Sequence, residues 1–409
     1  RAGYELTKNW YVSFLFDHTD ADVGDPLAEG AAPHPRPDRF ITDNELYILS
    51  LSHSYESFEG YVKLSFEDGY IDWKQWDFAV PEPFDSETDY ENYGVRVRET
   101  WRPWEGGELT GGYDYESIGG DFAERRPSGD RNVSSGRFYN TGPYLLASQA
   151  FDVLDDELEI TPSAGVRYNQ SRYFDGDWGA HAGLRLSHED TVVHANYARA
   201  YNLPGVWVVT QYLAFGRGDQ WKDLDAELLD HFELGLSQGV TEWLDVGVTG
   251  FYDDVRNGLR FVPPPPPPPL FANVGDYQLA GGEATVDVVP LDTLRLFAGS
   301  AYTHTTPDDV PNAPQWTVSF GASWIPIRNV TLSVDGQWID ERYVLNPRFA
   351  SAQALVDDYF LLNARVAWQV HPHVQVFAGG ENLTDSDYEL RPGYPMPGIT
   401  GYVGMEAKL

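Results

Sequence analysis

The sequence predicts an all-β protein, a transmembrane antiparallel up-and-down β-barrel. Three observations lead to this prediction: many short segments alternate apolar and polar residues, their connections come in two sizes, and aromatic residues stand at the ends of the apolar faces. We count about 18–19 such segments, each about 9–11 residues long, which is the length that a tilted strand needs to cross a bilayer.

The alternation is clearest in the second half of the chain. In segment 330–338, Val, Leu, Val, Gly and Trp alternate with Thr, Ser, Asp and Gln. Segments 316–324, 360–370 and 178–187 follow the same pattern, and in segment 93–98 Tyr and Val alternate with Gly94, Arg96 and Arg98. Successive side chains of a strand point to opposite faces, so each segment predicts a strand with one apolar and one polar face.

The connections differ in length in a regular way. Those at 187–191, 289–293, 326–329 and 370–374 are tight, whereas those at 17–43, 72–92, 118–137, 202–224 and 340–357 are long and polar. Short and long connections alternate over much of the chain. This asymmetry is typical of a barrel with short periplasmic turns and long extracellular loops.

Tryptophans mark the ends of the apolar faces, at Trp10, Trp101, Trp178, Trp243, Trp316, Trp324, Trp338 and Trp368. Their rings favour the headgroup level of a bilayer, which predicts two aromatic girdles. A soluble sandwich or propeller is the alternative, but such sheets rarely sustain this alternation over so many long strands.

The prolines 263–269 are expected to form a stiff loop between strands ending near Phe261 and starting near Tyr277, with a ligand for an SH3-type domain as the other interpretation.

Composition excludes several classes of function. The chain has 28 Lys and Arg against 63 Asp and Glu, a formal net charge of -35, and phosphate binding depends on Lys and Arg, so a nucleic-acid partner is not expected. With no Cys, disulfides and thiolate metal sites are impossible. No run of 18 apolar residues predicts a transmembrane helix, and no signal peptide precedes Arg1, so we expect a mature or incomplete chain.

The last two hundred or so residues contain motifs that resemble TonB-dependent outer-membrane receptors. Segment 379–388, with sequence GGENLTDSDY, is similar to that family's Glu-Asn-Leu-Phe-Asp-x-x-Tyr motif, and segment 391–398 is similar to the Gly- and Pro-rich link into its last strand. The residues that match are Glu381, Asn382, Leu383, Asp385, Tyr388, Arg391, Pro392, Gly393 and Gly398. Segments 196–205, 224–235, 251–257 and 312–316 continue the resemblance in order and spacing. Ile399 departs from the Arg that the family often has there.

This resemblance implies an integral protein of the bacterial outer membrane, surrounded by lipid and lipopolysaccharide. It implies import of a scarce nutrient, such as an iron–siderophore complex or cobalamin, energised through the TonB complex by way of a plug domain. Residues 1–409 then correspond to the barrel of a family whose barrels have about 22 strands. Because nothing at residues 1–11 resembles a plug or a TonB box, we expect the plug and the first strands to lie outside this sequence.

Other functions stay open at this point. A plugless passive porin is the main competitor, and a barrel completed by a partner chain is a second. An outer-membrane enzyme would need a Ser–His–acid set on a nucleophile elbow, which we do not expect here. The resemblance implies no catalytic residue and no cofactor.

The ligand-binding residues are expected among aromatic and Arg side chains of the long loops, since these can stack on a chelate or pair with an anion. The candidates are Tyr201, Trp207, Tyr212, Phe215, Arg217, Trp221, Arg342, Tyr343 and Arg348; girdle or packing roles are the alternative. Asp17, Asp20, Asp22 and Asp25 are weak candidates for a loop-bound Ca²⁺, although a solvated acidic loop fits them better. His371 and His373 are interpreted as turn residues.

Overall fold

The computed structural model describes residues 1–25, 38–75, 84–154, 157–214, 216–262, 270–344 and 353–408. The elements in chain order are β1 (Ala2–Thr7), β2 (Trp10–Asp25), β3 (Asp38–Ser54), β4 (Phe58–Gln75), β5 (Phe84–Trp101), β6 (Gly107–Arg125), β7 (Arg131–Gln149), β8 (Phe151–Val153), β9 (Leu158–Ser171), β10 (Asp177–His188), β11 (Thr191–Asn202), α1 (Val206–Ala214), a 3₁₀ helix (Gly218–Asp223), β12 (Glu227–Thr241), β13 (Leu244–Arg256), β14 (Leu259–Val262), β15 (Leu270–Asn273), β16 (Tyr277–Leu291), β17 (Leu294–Thr306), β18 (Trp316–Ile327), β19 (Val330–Ile339), β20 (Arg342–Val344), β21 (Ala354–Val356), β22 (Tyr359–His371), β23 (Val374–Glu381), β24 (Glu389–Arg391), β25 (Tyr394–Pro395) and β26 (Thr400–Ala407).

One sheet of twenty strands forms the barrel wall, and strands that follow each other in sequence are neighbours in it. Every pairing in this sheet is antiparallel. Strand β8 continues β7 along the same neighbour, β9. The pairs β14–β15, β20–β21 and β24–β25 are short hairpins outside the wall. The strand order confirms the predicted up-and-down architecture.

The two faces of the wall differ as the alternation predicts. Phe14, Leu49, Leu64 and Val95 face one another across β2 to β5 and form an apolar row on the outer face. Phe14 and Leu64 are 44% and 47% exposed, because the outer face has no protein neighbour. The adjacent cross-strand row points to the lumen instead and consists of Ser13, Ser50, Lys63, Arg96, Asp114 and Gly142.

Six of the eight predicted girdle tryptophans lie exposed at the two ends of the outer face, whereas Trp10 and Trp338 are half-buried. Trp101, Trp243, Trp324 and Trp368 stand next to tight turns, whereas Trp178 and Trp316 lie at the opposite ends of their strands. All six are between 41% and 58% exposed. Amphipathic rings at two levels fit two interfaces of a bilayer. No helix in the described part of the chain is long and apolar enough to cross a membrane.

The four tight turns are confirmed, but three of the long loops were predicted too long. Strands β2 to β7 have 16 to 19 residues each, so most of segments 17–43, 72–92 and 118–137 is strand. The polar composition of these segments does not indicate strands, because strands that project beyond a bilayer contact water on both faces and need no apolar face. Their backbone groups pair in regular ladders up to Asp25–Asp38 and Gln75–Phe84.

The prolines 263–269 lie outside the described residues. The chain on either side of them pairs as a hairpin, β14 with β15. This hairpin stands beyond the end of β13 at Arg256, so the wall strand ends earlier than the predicted Phe261. The start of β16 at Tyr277 agrees with the prediction.

A small apolar core lies at the long-hairpin end. It contains Val208, Val209, Tyr212 and Trp221 from the segment 203–224 between β11 and β12, together with Phe138 and Phe174. We call segment 203–224 the cap. Phe138 and its neighbour Ile118 belong to the inner faces of β7 and β6, so the cap packs inside the mouth of the barrel.

Candidate functional site

A cavity of 460 Å³ lies on the inner face of the wall directly below the cap. We call it the upper cavity. Strands β4 to β7 line one side of it with polar residues, and residues 201–205, which lead from β11 into the cap, lie over it. The charged side chains on its wall are Glu67, Arg96, Asp114, Glu116 and Arg167.

Arg167 organises one side of the upper cavity. Its Nη1 donates to Asp114 Oδ2 (2.6 Å) and its Nε donates to Asn169 Oδ1 (2.6 Å). The guanidinium also stands 5.7 Å from the centre of the Tyr144 ring and acts electrostatically on the nearby hydroxyl of Tyr201. A charge held by this many partners is positioned rather than mobile. Arg167 thereby stands beside Tyr201 at the end of β11, where the chain leaves the wall for the cap.

Two other charges in the upper cavity are free. Within the described residues, neither Arg96 nor Glu116 has an ion-pair or hydrogen-bond partner, and both side chains are exposed to the lumen. Glu67, in contrast, accepts a hydrogen bond from Asn92 Nδ2 (2.8 Å). The cavity therefore offers an entering ligand one cationic and one anionic group.

The cap holds its shape through ring packing. The Trp221 ring stands edge-on to Tyr173 and Phe174, at 5.0 and 5.8 Å between ring centres. The Tyr212 hydroxyl donates to the backbone oxygen of Phe271 (2.8 Å), on β15. Burial raises the pKa of Tyr212 above its ordinary value, because the charged form would lose hydration. The cap thus ties β14–β15 to the mouth of the barrel.

The structure separates the predicted ligand contacts in and next to the cap. Tyr201 lines the upper cavity. Tyr212 and Trp221 are 8% and 3% exposed, so in this arrangement they pack in the cap core and present almost no surface to a ligand. The Arg217 backbone amide donates to the Tyr212 carbonyl (2.8 Å). Trp207 lies on α1, and Phe215 is outside the described residues.

The candidates of the later loop lie apart from the upper cavity, on the short strand β20. The Arg342 guanidinium stands 5.6 Å from the ring centre of Tyr359, and the neighbouring Tyr343 is 38% exposed. Arg348 is outside the described residues. Of this group, Tyr343 is the side chain that the described structure leaves accessible, and its role in ligand binding stays a prediction.

The terminal motif folds the segment 382–399 between β23 and β26, which we call the terminal loop. Asn382 is 4% exposed; its Nδ2 donates to the backbone oxygens of Ser386 (3.0 Å) and Pro397 (3.2 Å), and its Oδ1 accepts from the Ser386 amide (2.9 Å). Asp385 Oδ1 accepts from the Ile399 amide (3.0 Å). The loop is therefore tied by side chains that imitate backbone partners.

The remaining motif residues support the same loop. The rings of Tyr388 and Tyr359 lie 4.7 Å apart, and Gly393 has φ +79°, a conformation that glycine adopts freely. A Cβ on Gly398 would stand 2.6 Å from Asp385 Oδ1. The others are Glu381 at the end of β23, Leu383, 38% exposed, and Arg391 and Pro392 at the β24–β25 turn. These positions give the motif a structural role.

The acidic segment does not form the loop that a Ca²⁺ site would need. Asp17, Asp20, Asp22 and Asp25 all belong to strand β2, and the period of two puts Asp17 and Asp20 on opposite faces. Asp22 is bonded to Arg39 through both of its oxygens. Among the residues that the structure describes, no group of three or more His, Cys, Asp or Glu side chains is arranged to hold a metal ion.

One segment of the chain has the residue spacing of a nucleophile elbow, which the sequence analysis did not expect. Residues 235–239, GLSQG, match the G-x-S-x-G spacing. However, they lie within β12 and pair on both sides, with β11 and β13. A nucleophile elbow requires a sharp strand-to-helix turn, so this match carries no catalytic meaning.

Comparison with known proteins identifies the family. A family model described as "TonB dependent receptor-like, beta-barrel" matches residues 2–383. The chain belongs to the TonB-dependent receptors. Members of this family are transporters of the outer membrane rather than enzymes, so the chain is an outer-membrane receptor barrel. The tight turns of the wall accordingly face the periplasm, and the long hairpins, the cap and the terminal loop face the exterior.

Solved structures of several receptors share this fold. The copper transporter OprC has a TM-score of 0.76 at 16% identity, over 99% of this chain and 70% of that one. A variant of the ferric enterobactin receptor PfeA of Pseudomonas aeruginosa has a TM-score of 0.75 at 14% identity, over 99% and 68%. The ferripyoverdine receptor of the same organism, bound to ferripyoverdine, has a TM-score of 0.75 at 13% identity, over 99% of this chain and 63% of that one.

Sequence reasoning missed the charged residues of the receptor's upper cavity. Arg96, Asp114, Glu116 and Arg167 lie on wall strands rather than on loops. A signal for them was present, because Arg96 occupies the polar face of an alternating segment where Gly, Ser or Thr would suffice. Charged residues at lumen-facing positions of wall strands are the pattern that would have found this site.

Proposed function

We propose that this receptor imports a scarce nutrient, an iron–siderophore complex or cobalamin, and that the TonB complex supplies the energy. The observation that carries this proposal is the upper cavity. It lies at the external end of the lumen, beneath a folded cap, and it presents free charges of both signs. A ligand arriving from outside would meet this cavity before the rest of the lumen.

The cavity suits a polar ligand rather than an apolar one. Arg96 can donate to an anionic group of the ligand and Glu116 can accept from hydroxyl or amine groups, since each is free of protein partners within the described residues. The pair Arg167–Asp114 fixes the geometry beside them. Binding by several oriented charge-assisted hydrogen bonds provides specificity in a wet site.

The remaining partners follow from the placement of the barrel. The outer apolar face and its tryptophans would contact lipid, and the projecting hairpins would stand among lipopolysaccharide. The TonB complex would act through a plug domain, as the family resemblance implies. The similar structures include a copper transporter, an enterobactin receptor in complex with enterobactin and a ferripyoverdine receptor bound to ferripyoverdine, which supports a metal or a metal chelate as cargo.

The experiment uses the full-length native protein in a host without its own chelate receptors. Uptake of radiolabelled ferric tris-catecholate, ferric tris-hydroxamate and cobalamin is measured with and without TonB. We expect saturable uptake of one of them that disappears when TonB is deleted. Uptake that is linear in concentration and independent of TonB would instead establish a passive channel and overturn the proposal.

Two matched variants locate the binding site. Glu116→Gln removes a free carboxylate of the upper cavity, and it should weaken binding of the transported ligand by about tenfold, the cost of one charge-assisted contact. Glu283→Gln changes a carboxylate that faces the lumen from β16, away from the cavity, and should leave binding unchanged. Equal effects of the two variants would place the ligand elsewhere.

A further inference from the structure

One carboxylate stands on the lipid-facing surface of the barrel. Glu99 lies on the outer face of β5 together with Val97 and Trp101, two positions from each, and its side chain is 39% exposed. Among the described residues of β2 to β7, no other carboxylate lies on the outer face between Trp101 and the external aromatic row, which consists of Phe16, Tyr47, Phe66 and Tyr93. A carboxylate that faces lipid is costly, so such residues commonly serve a function.

The cross-strand row that contains Glu99 leaves room for its carboxylate. Trp10, His53, Gly60, Glu99 and Gly111 face one another in turn across β2 to β6. A Cβ on Gly60 would stand 2.2 Å from Glu99 Oε2, so the carboxylate lies over Gly60, where a larger residue would displace it. On the other side of β5, a Cβ on Gly111 would meet no atom nearer than 3.8 Å. A shallow recess therefore stays open beside Glu99.

His53 holds this carboxylate in place. Its Nε2 lies 3.0 Å from Glu99 Oε2 and 3.3 Å from Oε1. The imidazole packs against the rings of Trp10 and Phe58, at 5.0 Å between ring centres in each case, and the His53 side chain is 7% exposed. One ring nitrogen supplies at most one donor, whereas a carboxylate has about four acceptor positions. The outward side of Glu99 therefore keeps acceptor capacity that no described protein group uses.

Aromatic rings flank the carboxylate on its periplasmic side. Phe58 faces Trp101 directly across β4 and β5, one outward row below Glu99, and the two are 40% and 48% exposed. Trp101 has no hydrogen-bond partner among the described residues, so its Nε1 is free to donate. The next residue along the chain, Arg102, is bonded to two carboxylates, at 2.7 and 3.0 Å. This patch of the outer face thus combines a negative charge, two ring faces and one free N–H donor.

We propose that Glu99, Trp101 and Phe58 bind the headgroup of a phospholipid that carries a primary ammonium, a phosphatidylethanolamine. We call these three residues the headgroup site. The ammonium donates hydrogen bonds to the free acceptor positions of Glu99 and stands against the two rings, whose faces attract a cation. The lipid phosphate next to the ammonium accepts a hydrogen bond from Trp101 Nε1.

The position of the headgroup site selects this lipid. Trp101 stands next to a tight turn, and the tight turns face the periplasm, so the site meets the periplasmic leaflet, which consists of glycerophospholipids. Val62 and Val97 continue the outer face towards the bilayer centre and accommodate the acyl chains. An anionic phospholipid would bring its charge against Glu99, and the neighbouring cation, Arg102, is already bonded. The site faces away from the lumen, so its contacts depend neither on a plug nor on the import function.

The first test measures lipid binding by the purified full-length protein. Native mass spectrometry follows the delipidated receptor in detergent as dioleoyl phosphatidylethanolamine or dioleoyl phosphatidylglycerol is added. We expect the wild type to bind the first lipid about tenfold more tightly, which is the effect of one charge-assisted contact, and Glu99→Gln to lose this preference. The control is Glu242→Gln, which changes an exposed carboxylate next to the girdle residue Trp243 at another tight turn, and it should bind as the wild type does.

Two outcomes of this test overturn the headgroup site: equal binding of the two lipids by the wild type, and an unchanged preference in Glu99→Gln. If Glu99→Gln does not assemble into a barrel, Trp101→Leu decides. Loss of its ring face should weaken binding of phosphatidylethanolamine about threefold, whereas Trp243→Leu should have no effect. The same affinity in both tryptophan variants overturns the proposal as well.

The second test locates the lipid. A phosphatidylethanolamine with a photoreactive diazirine on an acyl chain near the glycerol is crosslinked to the full-length receptor in vesicles of phosphatidylethanolamine and phosphatidylglycerol, and the labelled residues are found by mass spectrometry. We expect the labels to concentrate at residues 58–62 and 97–101 and to fall in Glu99→Gln. Labels spread evenly over the girdle, at Trp101, Trp243, Trp324 and Trp368 alike, would show a lipid that only surrounds the barrel and would overturn the site.

Discussion

The cap and the terminal loop are two external segments that reach a fixed shape by opposite means. The cap buries apolar side chains: Val209 is fully buried and Trp221 is 3% exposed. The terminal loop buries an amide, Asn382, and ties its backbone with side-chain hydrogen bonds. The first solution draws on transfer of apolar surface from water, and the second on the cost of leaving buried polar groups unpaired.

The difference also concerns distance along the chain. The Asn382 side chain bonds to residues four and fifteen positions away, so this part of the terminal loop is local, although Leu383 and Ser386 also bond to backbone oxygens of β22. Tyr212 reaches Phe271, fifty-nine positions away, and the cap core includes residues of β7 and of the β9–β10 connection. A loop held by bonds between nearby residues can be recognised in the sequence as a motif, whereas the packing of a loop on distant strands cannot.

The largest effect is expected from Trp221→Ala. Truncating a buried Trp should destabilise the cap by about 3–5 kcal/mol, through lost apolar burial and the cavity left behind. Hydrogen exchange of residues 206–223 measures the local opening. Asp219→Ala, whose side chain is 73% exposed on the same 3₁₀ helix, is the control and should change little. Similar protection in both variants would mean that the cap is not held by its apolar core.

A smaller effect is expected from Asn382→Ala. Losing the amide leaves the Pro397 carbonyl and the Ser386 amide without this partner. The local free energy of opening should fall by about 2–3 kcal/mol, which is measured as faster hydrogen exchange at Ser386 and Ile399. Asn312→Ala is the control, since Asn312 also has a positive φ of 62° but no side-chain bond among the described residues. If both substitutions cost the same, backbone strain rather than the amide network explains the terminal loop.

The smallest effect is expected from Tyr212→Phe, which removes one hydrogen bond of the cap and should cost about 1 kcal/mol at neutral pH. Because burial raises the pKa of Tyr212, its stabilising effect is complete below the ordinary tyrosine pKa of about 10 and is lost as pH rises through the higher folded value. The wild-type cap should therefore loosen at alkaline pH, and the Phe variant should not loosen by this route.

The opening of the cap can be followed with a single thiol, since the chain has no Cys. Val209→Cys is placed in both backgrounds, and its labelling rate is compared from neutral to alkaline pH. The Phe background corrects for the pH dependence of the thiol itself. The same alkaline increase in the two backgrounds would contradict a role for Tyr212 ionisation.

The prediction of ligand contacts illustrates what sequence could not separate. Tyr201 and Trp221 lie in one aromatic-rich stretch of the sequence and are equivalent candidates by composition. In the structure Tyr201 lines the upper cavity while Trp221 lies within the cap core. The difference arises from which distant strand each side chain meets, and composition of the connection carries no information about that.

The lengths of the projecting hairpins show a related limit. An alternating apolar face is imposed by lipid only where lipid is present. Beyond the bilayer, β4 continues to Gln75 and β5 starts at Phe84, and most side chains of these extensions are polar, so their sequence resembles that of a loop. Ladder hydrogen bonds hold these extensions, and such bonds leave little trace in composition.

The sequence by itself determined the all-β class, the strand order, the outer apolar face, the tight turns and the family motif of the terminal loop. Each depends on residues near one another in the chain: side-chain alternation, turn residues, and an amide that bonds within fifteen positions. Tertiary structure alone decided the upper cavity, the burial of Trp221 and the contact between Glu99 and His53. These depend on register between strands and on packing across the lumen, where residues far apart in sequence become neighbours.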